Sequence, residues 1–186
     1  MSRQLFDDTF GQRNDTIIPR ILGRPVSREE CERFSQTKEA AYREVVGEKI
    51  SPVPGAVELV RSLQERGVPC AVASSAPAEN VHLILSSLRI ERAMDATVSG
   101  SDVERGKPAP DVFLLAAARL GIRPERCVVV EDAPDGVSAA RAADMSVVAV
   151  TSTRPAELLR GADIVVRDLR DLNARGLGRL VGVSIR

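Results

Sequence analysis

The chain has 186 residues, of which 44% are hydrophobic, and its 26 basic and 26 acidic residues give a formal net charge of zero. A neutral chain without a basic stripe lacks the electrostatic footprint of nucleic-acid-binding proteins, so we expect no nucleic-acid partner. Its uninterrupted apolar runs are no longer than strands, which excludes a membrane span and argues against a membrane partner. The polar start of the chain does not resemble a signal peptide, and we therefore expect a cytoplasmic location.

The first fifty residues contain no convincing strand and predict a small helical unit over residues 1–50. Ser27 and Glu30 have the spacing of a capping box, which predicts a helix that continues to about Val46. The apolar stripe of this helix consists of Cys31, Phe34, Ala41 and Val45. A proline- and glycine-rich break at residues 51–55 then predicts a second helix from Ala56 to Arg66.

From about residue 68, short β-branched runs alternate with helical patterns. The predicted strands are Val68–Ser74, Ala96–Ser99, Cys127–Glu131, Ser146–Val150 and Asp163–Val166. The predicted helices between and after them are Ala78–Leu88, Pro110–Leu120, Asp135–Ala143 and Pro155–Arg160. Apolar strands separated by helices are typical of a parallel sheet covered on both faces, so the pattern predicts a doubly wound α/β core over residues 51–172. The tail, residues 173–186, gives little information.

Polar residues follow three segments of this core, where the ligands of open α/β sheets gather. Ser74 and Ser75 end the first strand just before a helix, which suits phosphate binding; the alternative is an ordinary serine-rich turn. Lys107 lies in a turn that two prolines stiffen, and the alternative is a solvated surface lysine. Glu131 and Asp132 end a valine-rich strand and suit a hard cation such as Mg²⁺; the alternative is that one of them caps the next helix.

In this order and spacing, the three signals resemble the haloacid dehalogenase superfamily, in particular its β-phosphoglucomutase-like and phosphoglycolate-phosphatase-like members. The resemblance implies a Rossmann-like core with a small helical cap, and a Mg²⁺-dependent phosphatase or phosphomutase acting on a small phosphorylated metabolite through an aspartyl-phosphate. It implies that Ser74, with Ser75, binds the transferring phosphoryl group and that Lys107 steadies it. Asp132, with Glu131, would hold Mg²⁺.

Two cap features are weaker candidates for substrate contact. Arg13 and Asn14 belong to a segment that resembles a substrate-contacting cap loop of some family members. Lys38 interrupts the apolar stripe of the predicted cap helix, and it could reach a substrate or extend along the helix to water.

The chain departs from the family pattern at its start. The family opens with a strand that ends in Asp-x-Asp, which supplies the nucleophile and the general acid/base, whereas the early acids here are the adjacent Asp7 and Asp8. We therefore expect the nucleophile and the first core strand to be missing. By resemblance that strand would lie between those ending at Ser74 and Glu131. Its loss leaves three options: direct pairing of those two strands, a strand borrowed from another chain, or a partly unfolded chain. We expect poor solubility or strand-mediated self-association.

Two other readings stay open. The first is a catalytically inactive or truncated relative that binds only phosphate or a partner protein. The second is an unrelated receiver or nucleotide-binding domain of doubly wound topology.

Overall fold

The computed structural model describes Leu5, residues 8–46 and residues 49–185. Within this part of the chain, no helix combines the length and apolar character that crossing a bilayer requires. The first two helices with described bounds are α1 (Asn14–Leu22) and α2 (Arg28–Val46). The Ser27 hydroxyl accepts a hydrogen bond from the Glu30 N–H at 3.1 Å, so the predicted N-cap is confirmed. The Glu30 carboxylate pairs with the guanidinium of Arg24.

The rest of the chain alternates helices and strands. The elements are α3 (Ala56–Glu65), β1 (Ala71–Ala73), α4 (Ala78–Ser87), β2 (Ala96–Val98), α5 (Asp111–Leu120), β3 (Val128–Glu131), α6 (Pro134–Ala142), β4 (Ser146–Val150), β5 (Ile164–Val166) and α7 (Ala174–Leu180). Each of the five predicted strands is confirmed, and the largest difference is a later start for β1.

One helix prediction was wrong, and the helices α1 and α7 were not predicted individually. The segment predicted as a helix at Pro155–Arg160 forms only a 3₁₀ turn, Ala156–Leu158, because so short a run cannot offset the cost of helix nucleation. The tail, in contrast, forms α7. The Asn173 side chain accepts a hydrogen bond from the Gly176 N–H at 2.9 Å, and this cap satisfies the first turn of the helix.

All strand pairs are parallel, as predicted, but the strands form two sheets rather than one. The first sheet pairs β1 with β2, and the second has the order β3-β4-β5. In the described residues no strand joins β1 to β3. The doubly wound α/β class is therefore confirmed, with its sheet interrupted where the family resemblance places a further strand.

The core is built on β4, whose side chains alternate between two helical layers. Val147 and Ala149 are fully buried among residues of α5 and α6. Val148 lies between them and packs on the other face, against Leu59 of α3 and Leu177 of α7. Helices thus cover both faces of the sheet, as its continuously apolar strands require.

The contact of α2 with the core is polar. Phe34 and Val45 of the predicted apolar stripe are 38% and 64% exposed, whereas Glu39 is buried. Its carboxylate accepts hydrogen bonds from the side-chain amides of Asn14 at 2.8 Å and of Asn80, in α4, at 2.5 Å. Burial disfavours ionisation, but these bonds and the ammonium of Lys38 outweigh it and hold the pKa of Glu39 below its usual value.

Replacing this carboxylate tests whether it fixes the helical region on the core. We expect Glu39→Gln to destabilise the fold by about 1–3 kcal/mol, since it leaves buried donors poorly paired. Because the pKa of Glu39 is lower in the folded than in the unfolded state, its carboxylate stabilises the fold at pH values above its unfolded pKa. The difference in unfolding free energy between the parent and Glu39→Gln should therefore shrink as the pH falls through the folded pKa of Glu39. Urea unfolding of both proteins at several pH values measures this difference in unfolding free energy.

The matched control is Glu32→Gln, which removes an exposed i,i+4 pair with Arg28. We expect Glu32→Gln to lower the unfolding free energy by less than about 0.5 kcal/mol. Equal losses in the two variants would contradict a specific role for Glu39.

Candidate active site

Lys107 lies where the carboxyl ends of β1 and β3 meet. Its ammonium donates to the carbonyl of Ala73 at 3.3 Å and forms an ion pair with Oε1 of Glu131. The same Nζ lies 4.6 Å from the ring centroid of Phe113. Both charged side chains are less than a tenth exposed. The strand ends that the sequence placed at one edge therefore converge on this lysine.

Glu131 is held by three donors. In addition to the Lys107 contact at Oε1, its Oε2 accepts the backbone N–H groups of Asp132 at 2.9 Å and Ala133 at 3.1 Å. A Cβ on Gly136 would overlap this carboxylate, so only glycine lets the first turn of α6 approach it. A direct bond from Glu131 to Mg²⁺ stays a prediction. Both carboxylate oxygens of Glu131 already accept hydrogen bonds from the protein.

Asp132 is the less compensated of the two acids. Burial and the neighbouring Glu131 charge raise its pKa, and hydrogen bonding by Thr153 and Ser152 together with the Lys107 charge only partly offsets them. The Ser152 hydroxyl lies 3.4 Å from Oδ2, and the Thr153 hydroxyl donates to the main-chain carbonyl at 3.0 Å. An ionised carboxylate in this setting suits a cation.

The residues present fit Mg²⁺ in one specific way. Among the described residues, no three His, Cys, Asp or Glu side chains gather closely enough to hold a metal ion. Mg²⁺, however, commonly keeps several waters and is bound through one or two carboxylates and the phosphate of a substrate. Asp132 can supply one such carboxylate.

The serine turn lies directly beside the lysine. Ser74 follows Ala73, and its N–H donates to the carbonyl of Val98 at 2.9 Å. Its hydroxyl accepts the Ala76 N–H at 3.1 Å, which closes the turn before α4. A Cβ on Gly100 would collide with the Ser75 carbonyl, so the next loop packs tightly on this turn. The predicted phosphate roles of Ser74 and Ser75 stay predictions.

The weaker candidates from the helical region are engaged in other contacts. The guanidinium of Arg13 donates to the carbonyls of Val103 at 2.6 Å and Glu104 at 3.2 Å, beside the lysine turn. Asn14 and Lys38 both bond to Glu39. Their predicted substrate contacts stay predictions. Asp8 lies in a helical, exposed segment rather than at a strand end, and Asp7 lies outside the described residues.

Sequence reasoning missed Gln12. Its side-chain amide donates to Oδ2 of Asp135 at 2.8 Å, and Asp135 lies in the first turn of α6. Its Oε1 is buried and has no hydrogen-bond partner among the described residues. These two residues are 123 positions apart, so no local pattern could connect them.

Comparison with known proteins settles the family. The model of the haloacid dehalogenase-like hydrolases matches residues 7–144. The chain belongs to this family. The resemblance that rested on Ser74, Lys107 and Asp132 is therefore confirmed.

Several family relatives cover most of the chain. The validoxylamine A 7'-phosphate phosphatase of Streptomyces hygroscopicus subsp. limoneus is 29% identical over 176 residues, which is 89% of this chain and 83% of that protein. The β-phosphoglucomutase of Bacillus subtilis is 35% identical over 77% of the chain and 62% of its own length. The chain spans 47% of an Arabidopsis thaliana 5-amino-6-(5-phospho-D-ribitylamino)uracil phosphatase, at 30% identity.

Solved structures support the same fold. A family member from Entamoeba histolytica superposes with a TM-score of 0.86 at 24% identity, over 98% of this chain and 84% of that one. A β-phosphoglucomutase from Clostridium difficile gives 0.86 at 23% identity, over 98% and 82%. These likenesses show the fold.

The close approach of α6 to Glu131 can be tested at Gly136. We expect Gly136→Ala to displace the carboxylate and to cost about 1–3 kcal/mol of unfolding free energy, because the added methyl has no space. Gly176→Ala is the matched control, since its Cβ would meet only Asn173 at an ordinary 3.5 Å. The control should be neutral or stabilise by up to about 1 kcal/mol. Equal unfolding free energies of the two variants in urea would contradict the prediction that a side chain at position 136 cannot be accommodated beside Glu131.

The buried ion pair between Lys107 and Glu131 can be tested by removing either partner. Lys107→Met should destabilise the fold by about 3–5 kcal/mol, because it leaves the Glu131 charge buried without its partner. Adding Glu131→Gln should restore part of that loss. Arg105→Met, which breaks the exposed pair with Asp111, should cost less than about 1 kcal/mol. A double variant no more stable than Lys107→Met would contradict the pairing.

Proposed function

We propose that this chain is part of a Mg²⁺-dependent phosphatase or phosphomutase that acts on a small phosphorylated metabolite through an aspartyl-phosphate. The observation that carries the proposal is the buried Lys107, held by Glu131 between two strand ends and adjacent to a serine turn. A fixed cation beside a serine hydroxyl matches the charge of a phosphoryl group. Names of relatives such as hexitol phosphatase A and fructose-1-phosphate phosphatase, both from Escherichia coli, support this substrate class.

Each residue would act through its position. The Ser74 hydroxyl, which accepts the Ala76 N–H, would donate its own proton in a hydrogen bond to a phosphoryl oxygen. Lys107 would neutralise charge on a second oxygen without first having to be ordered, since Glu131 already fixes its ammonium. Asp132 would hold Mg²⁺, which when bound supplies positive charge to the same oxygens.

The attacking carboxylate is not assigned to a described residue. The strands that end at this site lead into Ser74 and Asp132, and neither ending is an Asp-x-Asp pair. This observation favours a second candidate, a phosphate-binding protein with little turnover of its own. We therefore expect residues 1–186 to bind Mg²⁺ and phosphate but to hydrolyse phosphomonoesters far more slowly than complete family members do.

The domain assignment follows from the same proposal. Residues 1–50 would be a partial helical cap over a core of residues 51–172. The polar contact between Glu39 and Asn80 would then be a contact between cap and core.

Asp132 is the residue at which the proposal is tested. Because its pKa is raised in the folded state, its ionised form opposes folding at neutral pH. Asp132→Asn should therefore raise the melting temperature in metal-free buffer, by a few degrees at most. The parent should also gain stability from Mg²⁺ with inorganic phosphate, and the variant should not. In the parent this gain should fall as pH drops through the raised pKa, because protons then compete with the metal.

The control is Asp171→Asn, which removes the same charge at an exposed position. It should keep the full response to Mg²⁺ and phosphate. A response that survives Asp132→Asn would exclude Asp132 as the metal ligand, and rapid Mg²⁺-dependent turnover by the parent would contradict the second candidate.

A further inference from the structure

The outer edge of β5 has no neighbouring strand in the described part of the chain. The sheet has the order β3-β4-β5, so β5 pairs with β4 on one side only. Ile164 and Val165 of β5 are 39% and 38% exposed, and Leu158, in the connection that leads into β5, is 57% exposed. Apolar side chains therefore lie on an exposed edge strand, a combination that natural proteins usually avoid.

The backbone of Val165 faces away from β4. The carbonyl of Val166 accepts the N–H of Thr151 at 2.9 Å, so Val166 directs its backbone groups toward the β4 side. Alternate residues of a strand direct these groups to opposite sides. The N–H and C=O of Val165 therefore point outward, and an added strand would bond to them.

The two residues that flank β5 carry opposite charges at equal distances from Val165. Asp163 directly precedes the strand and Arg167 directly follows it, and both are exposed. The Asp163 carboxylate accepts from the N–H of Val147 and from the guanidinium of Arg141, both at 2.7 Å. A carboxylate has about four acceptor positions, so it can accept a further donor.

We propose that β5 pairs antiparallel with β5 of a second copy of this chain, about a two-fold axis at Val165. In this register the outward-facing backbone groups of the two Val165 residues bond to each other. Asp163 of each copy then lies opposite Arg167 of the other, and Ile164 lies opposite Val166. The two three-stranded sheets would become one sheet of six strands. This inference does not depend on the function proposed above.

The flanking charges specify both the register and the partner. A shift of one residue in either direction would place Asp163 or Arg167 opposite the apolar Val165. Charges at an edge can also prevent pairing, but flanks of opposite sign attract each other when the same strand pairs with itself in the antiparallel direction. A strand of another protein would match only if its own flanks carried this pattern.

The contact is small, and this sets its strength. It involves about five residues of each chain, whereas a stable interface involves roughly 20–30 residues a side. We therefore expect a reversible dimer with a Kd on the order of 100 µM. Because its ion pairs are exposed, raising the salt concentration should weaken it.

Self-association of the full chain can be followed by sedimentation velocity and by residue-resolved amide hydrogen exchange. At a total concentration of about ten times the Kd, roughly one fifth of the chains are monomeric, so exchange of the Val165 amide should be about fivefold slower than in dilute solution. The amide of Val166 is directed toward β4 in both states and is the internal reference. Its exchange should not change by this mechanism.

Variants of two residues test the pairing. Val165→Pro removes the outward donor and no bond to β4, so it should abolish the dimer and leave the dilute chain folded, as its melting curve would show. Arg167→Glu places like charges opposite each other and should raise the dimer Kd at least about tenfold, whereas Arg167→Lys should retain the dimer. The matched control is Arg61→Glu, the same charge reversal at an exposed position of α3, which should change the Kd less than about twofold.

Three results would overturn the proposal. A parent chain that stays monomeric up to about 1 mM, ten times the expected Kd, would show that the edge does not pair. A dimer in which the Val165 amide exchanges as in the monomer would place the contact on another surface. A dimer that survives Val165→Pro and Arg167→Glu but is lost in Val130→Arg would assign the association to β3, where Val130 is 39% exposed.

Discussion

The buried ion pair between Lys107 and Glu131 is the constraint on which the site depends. Two charges in a nearly dry position are stable only if their remaining hydrogen-bonding capacity is met. The carbonyl of Ala73 and the ring of Phe113 meet that need for the ammonium, and two backbone N–H groups meet it for the carboxylate. The pair thereby fixes the end of β1, the turn before α5 and the start of α6 relative to one another. The absence of a side chain at Gly136 is part of the same arrangement.

This constraint also separates the roles of two adjacent acids. Glu131 lies within reach of the lysine, while Asp132 faces the hydroxyl groups of Ser152 and Thr153. The buried charge of Glu131 is thus paired with a lysine and hydrogen-bonded, whereas the buried charge of Asp132 has no cationic partner in direct contact among the described residues. Electrostatic environments that differ this much between neighbouring residues are typical of functional sites.

Much of the core could be predicted from the sequence, because continuous β-branched runs are compatible with few structures other than buried parallel strands. Because the carboxyl ends of parallel strands lie at one edge of the sheet, the sequence also placed Ser74, Lys107 and Glu131 together at that edge. The sequence could not show which acid would pair with the lysine, since that depends on the register of β3 against β4. It also pointed to the wrong face of α2, where a stripe of apolar residues is partly exposed and Glu39 is buried. Apolar periodicity carries no information about a buried carboxylate whose partners are far away in the chain.

The division of the strands into two sheets has a consequence for cooperativity. The residues of β4 are almost fully buried and are paired on both sides, so their amides should exchange with solvent only when the whole domain opens. Among the described residues, the β1–β2 pair has a single ladder of three residues and is unpaired at both outer edges. It can open as a smaller unit at lower free energy, so the two halves of the core are expected to form separate foldons. The serine turn belongs to the less stable half, whereas Glu131 and Asp132 belong to the more stable one.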